Sequence, residues 1–223
     1  MKVEEREFVI PGQLLAEGDY LLGDGVFRDD DSVRALQMGL ADKRGKKIRV
    51  IPLEGRYIPQ EGDRVIGTVV DDYYAGWMLN IGSPYQGRLS VSDLVQRKVD
   101  LNKHSLDEFL EAGDSVEAKI SEVDELMDIT LEVTEDQRGK ISGGRLIEIN
   151  PSRIPRVIGR KGSMISMLQK VGNCDLSVGQ NGKIMVWGDS EEDTERVIEA
   201  ILMIEDKAHT SGLTDRVRKF LKK

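Results

Sequence analysis

The stretch that most constrains the fold is Val157-Ile158-Gly159-Arg160-Lys161-Gly162, a Gly-x-x-Gly whose two intervening residues are both basic. Glycines three apart let a backbone bend tightly and present bare N–H groups. An apolar pair precedes the bend, and an amphipathic segment from Ser163 to Val171 follows it. A helix starting there would place the loop at its positive end, where phosphate is favoured. Arg160 and Lys161 add two full charges at the same point. The pattern predicts a loop that clamps a nucleic-acid backbone, with a basic surface turn as the plain alternative.

The surrounding elements favour the clamp. Arg145 to Ile149 reads as a strand, Pro151-Ser152 as a turn with a possible N-cap, and Arg153 to Ile158 as a short helix. After the loop, Met164, Ile165, Leu168 and Val171 recur at helical spacing, and Gly172-Asn173 stops that helix. Asp175 to Val178 and Lys183 to Val186 are strands joined through Gly179-Gln180-Asn181-Gly182, which carries the Asn-Gly hairpin signal. Ser190 with Asp193 forms a capping box, and a helix follows with Val197, Ile198, Ile201, Leu202 and Met203 inward. The order βααββα, with Gly-x-x-Gly joining the first two helices, resembles a type I KH domain. The resemblance implies RNA contact through Arg153, Arg156, Ile158, Gly159, Arg160, Lys161 and Gly162. The tail, Asp215 to Lys223, reads as a short basic helix, either touching RNA or solvated.

Charge agrees with this placement. The 223-residue chain has a net charge of −8, but residues 140–223 hold 15 Lys+Arg against 11 Asp+Glu. From Arg145 to Lys170 there are six basic residues and one acidic one, so the cationic footprint surrounds the loop. No apolar run approaches the roughly 18 residues of a membrane helix, and the charged N-terminus lacks a secretory h-region. One cysteine, Cys174, excludes an internal disulfide and a zinc ribbon. A cytoplasmic chain with no membrane association is expected.

Upstream, residues 1–60 are apolar runs broken by glycine, among them Phe8 to Gly12, Tyr20 to Phe27 and Lys47 to Pro52, which suggests a small β domain. Asp29-Asp30-Asp31 reads as an exposed acidic turn, since no further ligand set for a cation accompanies it. Residues 61–136 hold five strand-like runs with glycine at the corners: Val65 to Val70, Trp77 to Ile81, Gly87 to Val91, Ser115 to Ile120 and Asp128 to Val133. This fits a five-stranded OB-type barrel. The long segment Asp93 to Gly113 predicts a helical turn near Leu106 to Leu110. Residues 137–144 read as a linker by composition, ahead of the KH domain at 145–223.

The runs Gly62 to Val69, Ala75 to Met78, Gly87 to Leu94 and Gly113 to Val116 resemble the S1-type OB domain of ribosomal proteins and RNases. That resemblance implies base stacking on Trp77, with Tyr73, Tyr74, Arg88, Arg97 and Lys98 as further RNA contacts. A barrel-core or subunit-interface aromatic is the alternative for Trp77. Where members often carry a histidine, two residues before the serine at Ser92, this chain has Ser90.

The combination is a multidomain β and α+β chain: an N-terminal β domain, an S1-type barrel and a KH domain. It resembles the KH-containing RNA-binding cap subunits of the archaeal exosome. The resemblance implies three copies on a hexameric ring of phosphorolytic exoribonuclease subunits, with residues 1–60 docking on the ring. It implies capture of single-stranded RNA and feeding of its 3′ end inward. No Ser/His/Asp or Cys/His set, metal cluster or Walker loop is found in the sequence, so catalysis, a metal and a cofactor are not expected. A free-standing S1/KH regulator of translation or mRNA decay is the main alternative, and a nuclease the other.

Overall fold

The computed structural model describes residues 3–4, 7–52, 55–97, 100, 103–208 and 212–222. The chain divides into two compact units, Met1–Gly55 and Arg56–Lys223.

The first unit is built from short strands: β1 (Phe8–Val9), β2 (Leu14–Glu17), β3 (Leu21–Leu22), β4 (Val26–Asp29), β5 (Ser32–Ala35), β6 (Gly39–Arg44) and β7 (Lys47–Pro52). They form a four-stranded sheet, β1-β6-β7-β3, and a three-stranded sheet, β2-β5-β4. Val9, Leu15, Val33, Ala41, Ile48 and Val50 fill its core. A Cβ on Gly39 would lie 2.2 Å from the Ile51 carbonyl oxygen, so β6 approaches β7 this closely only because that residue is glycine. The acidic run spans the end of β4 and the turn to β5, and Asp29, the last residue of β4, pairs with Arg34 at 2.7 Å. Phe8 lies opposite Leu40, which lies opposite Ile51, so the three share one sheet face. Phe8 is 50% and Ile51 38% exposed, which leaves an open apolar row on that face beside the Asp42–Arg49 ion pair at 2.7 Å.

The second unit begins with the barrel: β8 (Arg64–Tyr73), β9 (Gly76–Asn80), β10 (Gln86–Ser90), helix α1 (Val91–Val95), β11 (Ser115–Val123) and β12 (Ile129–Glu132). β10 pairs with β12 in parallel, β12 returns to β11, and β11 pairs with β8, which closes the five strands. Alternation along each strand sends Trp77, Leu79, Leu89, Ile120 and Leu131 into one core. The expected helical turn lies at Leu106–Glu108, and Leu110 beyond it is buried in the barrel.

The segment 137–144 is more than a linker. Gly139–Ile141 form β13, antiparallel to Ser115–Glu117 of β11. Ile141 is buried against Ile66 and Met185. Ladder hydrogen bonds use backbone groups, so a Gly/Ser/Lys composition did not reveal this strand.

The last module runs β14 (Arg145–Glu148), α2 (Ile154–Ile158), α3 (Ser163–Gly172), β15 (Cys174–Val178), β16 (Lys183–Gly188), α4 (Glu191–Asp206) and α5 (Leu213–Leu221). The antiparallel sheet has the order β14-β16-β15. Val157, Met164, Leu168, Val197 and Ile201 pack against it. Ser190 caps α4 by accepting from the Asp193 N–H at 3.0 Å. Leu202, expected inward, is 45% exposed, because the buried stripe of α4 runs through Val197, Ile198, Ile201 and Ile204. The basic tail helix is not merely solvated: Leu213, Val217 and Leu221, four apart, are buried in the same core.

The barrel and this module are bolted together by the turn between β15 and β16. The Gln180 N–H donates to the Arg64 carbonyl at 2.8 Å. The buried Asn181 amide accepts from the Ile66 N–H at 3.3 Å and donates to the carbonyls of Ile66 and Ile81 at 2.8 and 2.9 Å. Ile66 lies on β8 and Ile81 just past the end of β9, beyond the last β8–β9 pair, so a side-chain amide bridges the two where the ladder stops. Lys183, 4% exposed, donates to the Asn80 carbonyl at 3.2 Å and lies 3.3 Å from Thr68 Oγ1. Burial holds its ammonium below the usual lysine value, partly offset by Glu148.

Candidate nucleic-acid interface

The loop has the geometry of an anion cradle. α2 ends at Ile158, and Gly159 then adopts φ 74° and ψ 175°. A Cβ there would lie 2.7 Å from Met164 Cβ and 2.8 Å from Met164 N, so glycine is required for space as well as for φ. Lys161 is left-handed at φ 52°, and Gly162 at φ 76° starts α3. No side chain caps α3, and no acidic residue sits in its first turn. The Gly162 and Ser163 N–H groups close turns on the Gly159 and Arg160 carbonyls, so what the loop offers an anion is the positive end of α3.

The cations follow the same logic. Arg160 and Lys161 are exposed, and neither forms an ion pair among the described residues. Arg145 and Arg196 of the module, and Arg138 just ahead of it, are spent on Glu195, Glu192 and Asp175. Arg156 is exposed and Arg153 half-buried, both on the stretch leading into the loop. Ile158, half-buried, opens onto a cleft of about 600 Å³ whose apolar floor continues through Ile165, Leu176 and Val178. Ile165 had the helical spacing of a core residue, and only the tertiary fold turns it toward the cleft.

The barrel residues divide. Trp77 is 1% exposed and its indole N–H donates to the Leu110 carbonyl at 3.1 Å. It is a core residue and not a stacking platform, because alternation along β9 points it into the barrel. Tyr73 is half-buried, and burial raises its hydroxyl pKa although the nearby Arg88 opposes this. Tyr74 stands 93% exposed between β8 and β9. Arg88 is exposed but paired with Asp128 at 3.0 Å. Arg97 is exposed, while Lys98 lies outside the described residues. Ser90, at the position where members of the S1 family often carry a histidine, caps α1 by accepting from the Asp93 N–H at 3.1 Å. Among the described residues no cluster of His, Cys, Asp or Glu could hold a metal ion, and no helix is long and apolar enough to cross a membrane.

Two family models match the chain: the exosome RNA-binding protein RRP4 N-terminal domain over residues 6–54, and the KH domain over residues 145–205. An exosome complex component Rrp4 from Methanothermus fervidus is 48% identical over 98% of this chain and 96% of its own length. The chain belongs to the Rrp4 family. The Rrp4 of Pyrococcus abyssi is 44% identical over 98% of this chain and 83% of its own length. A crystal structure described as an exosome complex RNA-binding protein is 36% identical, with a TM-score of 0.70 over 75% of this chain and 96% of that one.

Proposed function

We propose that this chain is a non-catalytic RNA-binding cap subunit of the exosome, acting in the cytoplasm. Single-stranded RNA is clamped by its phosphates at Gly159–Gly162 and the 3′ end passes to the pore of a hexameric phosphorolytic ring. Three copies sit on that ring, each docked through residues 1–60. The observation that carries the reading is an uncapped helix start with two exposed cations, Arg160 and Lys161, in a chain of the Rrp4 family. The open apolar row of Phe8, Leu40 and Ile51 supports docking, since exposed apolar surface of this kind marks protein contacts. Tyr74 and Arg97 remain available on the barrel for passing RNA. Several weak sites in a symmetric assembly gain by effective concentration, by about 10²–10⁴ in avidity.

The test is co-purification with ring subunits, then RNA degradation with and without wild-type chain or the Arg160→Asp/Lys161→Asp variant. The wild type is expected to bind the ring and accelerate degradation of RNA at limiting concentration. The variant is expected to bind the ring but not to accelerate degradation, with a salt slope of RNA binding lower by about 0.7 for each phosphate it no longer neutralises. A chain that ignores the ring refutes the cap assignment and leaves the free-standing regulator. Cleavage by the chain alone refutes the non-catalytic one.

A further inference from the structure

The cleft beside the loop has two unlike walls. One is the apolar floor of the KH module, Ile158, Ile165, Leu176 and Val178. The other comes from the barrel, where Arg64 begins β8 and Glu117 lies on β11. Its volume, about 600 Å³, is in the range of pockets that take small ligands. The walls are held in register by the Asn181 amide and by the Gln180 N–H on the Arg64 carbonyl.

RNA clamped at Gly159–Gly162 lays its next bases on this floor. Such recognition needs a face to pack on and polar groups for base edges. The floor offers the first; of the polar groups on its side, the Ser177 hydroxyl is taken by Glu117 and Gln180 is exposed. On the facing wall, Arg138 is spent on Asp175 and stacks over Trp187 at 4.6 Å, and Lys119 is paired with Glu132 at 3.2 Å. Arg64 differs. Its guanidinium lies 3.5 Å from Glu117 and donates to the Asp136 carbonyl at 3.2 Å, which fixes its plane, and its side chain is still 42% exposed. A guanidinium has five N–H donors, so donors remain for a ligand. Glu117 is 2% exposed and is itself held by the Ser177 hydroxyl at 2.8 Å.

We infer that Arg64 of the barrel reads the acceptor edge, a ring nitrogen or carbonyl oxygen, of a base that the Gly-x-x-Gly loop delivers, and that Glu117 is its positioning residue. Base preference then belongs to the junction of barrel and KH module. The inference rests on the reading of Gly159–Gly162 as a backbone clamp.

The test compares affinities of the full-length chain for short fluorescent A, C and U homopolymers over a salt series. Arg64→Lys keeps the charge but loses the planar fork. It is expected to leave the salt slope unchanged and to shrink the ratio between best- and worst-bound homopolymer by about fivefold or more. Glu117→Gln is expected to shrink it in the same direction, more weakly. Equal wild-type affinities or an unchanged ratio in Arg64→Lys overturns the inference; so does Arg64→Gln, which removes the charge, if it lowers the slope by about 0.7 with the ratio intact, because Arg64 is then a phosphate ligand. Arg160→Asp/Lys161→Asp separates the two readings: a uniform loss of affinity for all three homopolymers supports the clamp, and unchanged affinity refutes it whatever Arg64 does. If the Arg64 and Glu117 variants fail to fold, ultraviolet cross-linking of wild type with peptide mapping decides. Cross-links at strands β8 and β11 beside the cleft support the inference, and cross-links confined to KH residues overturn it.

Discussion

Replacing Asn181 by Ala tests how the barrel and KH module are joined. The amide serves one buried N–H and two carbonyls, those of Ile66 and Ile81, and the residue is 5% exposed. Each buried polar group left without a partner costs about 1–3 kcal/mol. Three such groups, at the low end because water can enter the emptied space, give about 3 kcal/mol. The urea midpoint of the second unit should fall by on the order of 1–2 M. Hydrogen exchange should show weakened protection at the Ile66 amide. Asn181→Asp should be worse than alanine, since a carboxylate cannot donate and would face two carbonyl oxygens. A destabilisation below about 1 kcal/mol with Ile66 still protected, or a tolerated aspartate, would refute the reasoning.

Trp77→Ala should destabilise the barrel by about 3–5 kcal/mol in urea melts, whereas Trp77→Phe should fold and bind RNA as wild type does. Gly159→Ala should weaken RNA binding in titrations and lower stability by roughly 1–3 kcal/mol, because a Cβ meets Met164 and the backbone is nearly glycine-only there. Lys183 gives a pH signature. Its folded pKa lies below the unfolded 10.5, so between the two values the unfolded chain holds the proton that the folded chain has released. Stability contributed by this group therefore rises with pH across that window. Urea melts of wild type and Lys183→Met, from neutral pH toward 10.5, should show the difference moving in favour of wild type.

Local chemistry was legible in the chain because it depends on neighbours in sequence. Gly159 and Gly162 set the bend, Arg160 and Lys161 the charge, and the spacing of Met164 and Leu168 the following helix. The barrel strands showed through their alternation, and the cap at Ser190 through Asp193 three residues on. The direction of Trp77 was not legible, since an aromatic in a half-buried strand can face either way until the register is fixed. The strand at Gly139–Ile141 escaped because its composition is that of a linker.

What the sequence alone determined is therefore the Gly-x-x-Gly loop and its module: a short-range pattern of glycine, charge and period that one stretch of chain satisfies by itself. What only the tertiary structure decided is how that module meets the barrel. Asn181 looked like a turn residue and is a bolt to β8; Arg64, just ahead of the strand expected from Val65, faces the cleft with Ile158. Asn181 and Ile66 are 115 residues apart in sequence, and Lys183 and Asn80 are 103 apart. Hydrogen bonds and burial at such separation depend on the packing of two folded modules, which no local pattern encodes.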